Sequence, residues 1–154
     1  MSPSRITESV VRETPLLRAD QRVDEAVRAI VDAGLPALPV VDSDDGYYGI
    51  FGEREFIAAL FPGYLGELRS AAFVPGSIDD VIDKRIECSR QPVARFANTE
   101  AIAAGPQHSD AQLAETFLHH RVLIVPIVEN RLVTGAVTRS DFFRALVERF
   151  TGRA

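Results

Sequence analysis

The sequence predicts an α/β (α+β) fold: two β-α-β-β-α repeats packed pseudo-symmetrically, with a helical insert between them. Three observations predict it. Apolar residues switch between helical spacing and short strand-like runs. The whole pattern occurs twice. Each copy, at about 55 residues, is marginal as a free domain, so two copies packed face to face are the economical solution.

The first copy opens with short apolar pieces, Val10-Val11 and Leu16-Leu17, around Thr14-Pro15. Residues 6–19 read as an extended lead-in. Val23, Ala26, Val27, Ile30 and Val31 then recur at helical spacing, with Asp24 and Glu25 at the positive start of the helix. Gly34 stops this helix and Pro36 follows. Leu38-Pro39-Val40-Val41 is a short buried strand, Ser43 to Gly46 is turn chemistry, and Tyr47 to Phe51 is the returning strand. Gly52 begins a helix carrying Phe56, Ile57, Leu60 and Phe61, and Pro62-Gly63 ends it.

The same plan returns after residue 92. Residues 93–106 read as an extended lead-in. Leu113, Ala114, Phe117 and Leu118 form a helical stripe. Residues 122–128 are a strand, Glu129-Asn130 a turn, and residues 132–137 the return. Phe142, Phe143, Leu146, Val147 and Phe150 line the last helix. At a shift of 87 residues Pro39 falls on Pro126 and Val41 on Val128. The second turn is one residue shorter, and from there a shift of 86 pairs Gly49 with Gly135 and Phe56 with Phe142. The units are therefore 6–61, an insert at 62–92, and 93–150. Within the insert, residues 64–73 read as a helix. Ser77-x-x-Asp80 caps a second one carrying Ile78, Val81, Ile82 and Ile86, with Lys84 and Arg85 facing solvent.

Composition excludes several function classes. Hydrophobic residues make up 46% and charged residues 25%, as in an ordinary globular chain, and the net charge of −5 comes without a basic run. Nucleic acid is not an expected partner. Cys88 is the single cysteine, which suits a reducing, cytoplasmic setting and a passive thiol. No apolar run approaches a membrane span, and residues 1–11 lack a signal core. No metal site is expected. His119 and His120 are adjacent and diverge on a helix, His108 stands alone, and the acidic run from Asp42 to Asp45 reads as a turn. No nucleophile, base and oxyanion site assemble, so no catalytic residue is assigned.

The stretch Gly135-Ala136-Val137-Thr138-Arg139-Ser140-Asp141 closes an apolar strand and opens the last helix. Two readings stand. Thr-x-x-Asp at a helix start satisfies orphan backbone donors as a cap. The same free N–H groups and helix dipole also hold a phosphate.

With its two Leu/Val-Pro-Val/Ile-Val strands, each followed by a glycine and a helix start, and its Thr138-x-x-Asp141, the chain resembles a tandem pair of CBS domains, the Bateman module. The resemblance covers nearly the whole chain apart from its termini and residues 62–92. It implies a regulatory module without catalysis of its own, binding an adenosine-containing nucleotide between the copies and signalling to an unknown regulated protein. AMP, ADP, ATP and S-adenosylmethionine all qualify. By the same resemblance Asp141 receives the ribose hydroxyls and Thr138 faces phosphate or ribose. Arg139 and Ser140 share that turn, and Ala136 packs on the base. The base is clasped from the other copy by Val10, Thr14, Pro15, Leu35, Pro36 and Ala37. For the apolar ones, plain core packing is the competing reading. The first copy departs from the pattern, with Gly52 for the hydroxyl residue and Glu55 for the aspartate, so one competent and one weakened or empty site are expected. Leu35-Pro36 and Val122-Leu123 stand where basic residues would hold a polyphosphate, which argues against strong ATP binding, although Arg121 lies slightly earlier. The resemblance also implies a homodimer. A structural dimerisation unit with a dead cleft is the alternative, and an enzyme using Asp141 or Glu55 as acid or base is a further one.

Overall fold

Pro39 and Pro126 sit in equivalent strands, each followed by a register shift, one repeat apart. The computed structural model describes residues 5–61 and 77–152. In chain order its elements are α1 (Ile6–Val10), β1 (Leu17–Arg18), α2 (Val23–Ala33), β2 (Ala37–Val41), β3 (Tyr47–Gly52), α3 (Glu53–Leu60), α4 (Ile78–Arg85), α5 (Asp110–His120), β4 (Ile124–Glu129), β5 (Leu132–Thr138) and α6 (Arg139–Thr151). Short 3₁₀ turns occupy Ile86–Arg90 and Val93–Arg95.

Each copy is built around an antiparallel hairpin, β2–β3 in the first and β4–β5 in the second. Ile30, Ala26 and Val23 of α2 and Leu113 and Phe117 of α5 cover the hairpins on one side. Gly34 ends α2 in the left-handed conformation (φ 67°), which glycine adopts without a Cβ penalty. Asp42 makes the first turn by accepting the N–H groups of Asp44 and Gly46, each at 2.9 Å. Asn130 and Arg131 make the second with φ of 53° and 71°.

The lead-in segments depart from the expected extended form. Residues 6–10 are helical. The first N–H groups of so short a helix need outside partners. Asp110 supplies them, its carboxylate accepting from Ile6 N (2.8 Å), Thr7 N (2.9 Å) and Thr7 Oγ1 (2.7 Å). In the second copy the lead-in starts as the 3₁₀ turn at Val93. Its only strand-like pairing to its own hairpin is the bridge Ala104–Ile127, where the first copy has β1 against β2.

Both lead-ins cross over. Arg12 pairs with Ala136 of β5, with hydrogen bonds of 3.0 and 2.9 Å, and Asn98 pairs with Ile50 of β3 at 3.1 and 2.8 Å. Ile6 is consequently buried in the core of the second copy, and Val93 in the core of the first. These crossings fix two glycines. A Cβ on Gly135 would lie 2.8 Å from the Arg12 carbonyl oxygen, and one on Gly49 2.5 Å from that of Asn98. Where the copies meet, Ala37, Ile50, Ile124 and Ala136 form a third small core cluster, two equivalent pairs about a pseudo-two-fold axis.

Residues 64–73 lie outside the described residues. The Ser77 cap is present, with Ser77 Oγ accepting from Asp80 N at 3.1 Å. Only Val81 of the α4 stripe is buried, while Ile78, Ile82 and Ile86 remain exposed. Arg85 corrects the sequence reading: it turns inward and donates from Nε and Nη2 to the Ala59 carbonyl at 3.1 and 2.8 Å. That carbonyl lies in the last turn of α3, at the negative end of the helix dipole, so a cation is favoured there. Cys88 is buried against the same oxygen. No helix among the described residues is long and apolar enough to cross a membrane.

Candidate functional site

The start of α6 borders a cleft of about 550 Å³ whose walls come from both copies. Thr138 is the N-cap of α6. Its buried hydroxyl oxygen accepts the Asp141 N–H at 3.1 Å, which satisfies one orphan donor. Arg139 N bonds back to the Leu123 carbonyl at 2.9 Å, drawing Leu123 into the wall. From the first copy come Val31 and Gly34 at the end of α2, then Leu35-Pro36, then Glu53 at the start of α3. Glu53 N bonds to the Pro36 carbonyl at 2.9 Å, the counterpart of the Arg139–Leu123 bond.

Asp141 carries the site's charge pattern. Arg12 donates to its Oδ2 from Nε at 2.9 Å and from Nη2 at 2.5 Å. Arg144, one turn along α6, lies 3.8 Å from its Oδ1. Three arginines, Arg12, Arg139 and Arg144, therefore face two carboxylates, Asp141 and Glu53. Arg12 is held by its backbone pairing with Ala136, so its guanidinium reaches the cleft from the crossed-over lead-in.

Six of the residues expected to touch a ligand line this cleft together: Thr138, Arg139, Ser140, Asp141, Leu35 and Pro36. The others lie elsewhere. Ala136 is fully buried and Ala37 nearly so, both in the cluster on the pseudo-two-fold axis. Val10 packs against the core of the second copy. Thr14 lines a separate hollow of about 190 Å³ with Leu16, Val133 and Gly135, its Oγ1 buried without a partner, and Pro15 is exposed. Sequence reasoning missed Arg12, Arg144 and Glu53, and named Leu123 only as an uncharged residue at a polyphosphate-contacting position. Arg144 was legible as a cation three residues after Asp141 on a helix. Arg12 was legible only once the lead-in was known to cross to the other copy.

A second cleft, also of about 550 Å³, opens around Glu55 in the first copy, but its lining does not include the end of α5 and Val122-Leu123, which would match the Ile30 to Pro36 wall. Its chemistry differs. Burial raises the Glu55 pKa, against hydrogen bonds from its own N–H and that of Gly52 and the nearby charge of Arg54. Asn98, the counterpart of Arg12, turns its side-chain oxygen to Glu100 N at 3.0 Å. Arg54 and Arg85 join from α3 and α4, and Arg95 and Phe96 from the second lead-in. Gly52 itself admits no side chain, since a Cβ there would lie 2.3 Å from the Pro36 carbonyl oxygen.

The family model of the CBS domain matches residues 7–62 and 93–148. Solved structures similar to the chain include the CBS-domain containing protein of Agrobacterium tumefaciens, 20% identical with a TM-score of 0.68 over 92% of this chain and 90% of that one. Another is the CBS domain of a CBS domain containing membrane protein from Sphaerobacter thermophilus, 20% identical, TM-score 0.67, over 92% and 86%. A third is CBSX2 in complex with AMP, 15% identical, TM-score 0.69, over 96% and 99%. At these identities the likeness shows the fold. The family model matches both halves of the repeat found in the sequence, and the chain belongs to the CBS domain family as a tandem pair.

Proposed function

We propose that this CBS pair is a regulatory module that binds an adenosine-containing nucleotide, of the set AMP, ADP, ATP and S-adenosylmethionine, in the cleft at the start of α6. One observation carries the reading. The Thr138-capped helix start and the Asp141 carboxylate open into a cleft whose opposite wall, Leu35-Pro36, belongs to the other copy. A ligand there touches both copies, so its binding shifts their relative packing, and a partner protein reads the shift. CBS pairs are regulatory modules, and the related CBSX2 has been solved with AMP. A thermal-shift panel of the four ligands tests the proposal, because a ligand of the native state raises apparent stability by mass action. No shift with any of them at millimolar concentration sinks it.

A second reading is a structural dimerisation unit with no functional ligand site. The burial of Ala136 and Ala37, both expected against the base, favours it. Under that reading the panel is flat while the chain is dimeric. Dimerisation itself we assign to the outer face of α6, where Phe143, Leu146, Val147 and Phe150 form an exposed apolar stripe.

A further inference from the structure

Arg12 occupies the carboxylate that a ribose diol needs. A carboxylate oxygen offers two in-plane lone pairs. Both of those on Asp141 Oδ2 are met by Arg12, through Nε at 2.9 Å and Nη2 at 2.5 Å. A diol that grips both carboxylate oxygens therefore competes with Arg12. The equivalent position in the first copy holds Asn98, which leaves Glu55 alone and bonds within its own loop. The arrangement at Asp141 is thus a property of this one residue and not of the repeat.

Displacement is feasible because only the side chain has to move. The Arg12 backbone is pinned by its two hydrogen bonds to Ala136, while its side chain is 45% exposed. Asp141, at 17%, is the less mobile partner. A guanidinium released within this cleft joins Arg139 and Arg144 and faces only Glu53 as a remaining free carboxylate among the lining residues. A planar fork of donors in that position matches a phosphate.

We infer that Arg12 sets ligand preference at this cleft: it opposes ribose binding at Asp141 and, once displaced, takes the ligand's phosphate. The cleft then discriminates a nucleoside monophosphate from the bare nucleoside. A ligand that carries a positive charge where the phosphate would lie gains nothing from the released arginine. This inference rests on the nucleotide reading above.

Calorimetric titration of AMP and of adenosine tests it, using the wild-type chain, Arg12→Ala and Arg12→Lys, each first shown to be folded by its thermal melt. In Arg12→Ala, adenosine should bind several-fold more tightly and AMP more weakly, so that the AMP preference falls by about tenfold or more. Arg12→Lys keeps the charge without the fork and should restore part of that preference. The inference is overturned if both ligands are unaffected by Arg12→Ala, or if both weaken by the same factor, as a merely structural arginine would make them. If neither ligand binds the folded wild-type chain, this inference fails, and the nucleotide reading fails with it where the panel of AMP, ADP, ATP and S-adenosylmethionine is also flat. Binding to wild type with an unchanged AMP preference in Arg12→Ala removes only the role of Arg12.

Discussion

The backbone of Pro36 lies against Gly52 so closely that a Cβ on Gly52 would sit 2.3 Å from the Pro36 carbonyl oxygen and 2.4 Å from the Ala37 Cβ. The residue that stands where Thr138 stands in the second copy is therefore fixed by packing. Restoring the motif with Gly52→Thr and Glu55→Asp should not create a second ribose site. The added side chain has to push backbone aside, and overpacking of this kind costs about 1–3 kcal/mol. Urea unfolding of Gly52→Thr should show that loss, and titration of the double variant should show no gain in binding stoichiometry.

Ligand binding should depend on Asp141 far more than on Glu55. Asp141→Ala removes charge-assisted hydrogen bonds worth roughly 1.5–3 kcal/mol each. Affinity for the nucleotide found in the screen should fall by about two orders of magnitude or more. Glu55→Ala should leave it nearly unchanged. Wild-type affinity in a folded Asp141→Ala would remove the residue on which the nucleotide reading depends.

Thr138, and not Asp141, supplies the side-chain cap of α6. Thr138→Ala should cost about 1 kcal/mol of stability, the usual loss for an N-cap. Thr138→Ser keeps the hydroxyl and should recover most of it. Chemical denaturation of the three proteins side by side makes the comparison.

Acid should loosen the N-terminal crossing. Burial opposes ionisation of Asp110, but the Thr7 hydroxyl, the Thr7 and Ile6 N–H groups and the Arg149 charge outweigh it and hold the pKa below the ordinary carboxylate value. A carboxylate with a lowered native pKa contributes stability above its unfolded pKa, and that contribution disappears as pH falls through the native one. Glu55 works in the opposite sense. Its raised pKa gives a contribution that is present below the unfolded value and lost as pH rises through the native one. Unfolding measured from neutral pH down into the acid range should therefore show a shallower acid loss in Asp110→Asn than in wild type. Amide exchange at Ile6 and Thr7 should accelerate in the variant already at neutral pH.

Phe143 and Phe150, 63% and 82% exposed, flank Leu146 and Val147 on the outer face of α6. Light scattering at micromolar concentration should give a dimer mass. Phe143→Glu should shift it to a monomer without unfolding the chain, because Phe142, the neighbour that is buried, is untouched.

The repeat and the two hairpins were legible because proline, glycine and apolar runs report local backbone preference directly. α2, β2, β3 and α6 fall within a residue or two of their expected limits. The lead-ins were not legible for the same reason in reverse. The α1 helix exists because Asp110, 103 residues along the chain, satisfies the Thr7 N–H, and no local pattern records that. Arg85 was misread because Lys84-Arg85 on a charged helix looks like a solvated face, whereas the carbonyl that draws Arg85 inward belongs to α3. At the cleft, the helix-start residues could be read from their spacing. Arg12 could not, since its position depends on a pairing between segments of different copies.

The exchange of Ile6 and Val93 between the two cores separates the unit of duplication from the unit of folding. A sequence repeat cut at its natural boundaries carries its own hairpin, its helices and the near end of its lead-in, Leu17 or Ala104, but the far end of that lead-in completes the interior of its neighbour. Neither repeat holds a finished core by itself. Two such repeats are bound to occur as a pair, and whatever moves one lead-in is felt first inside the opposite half.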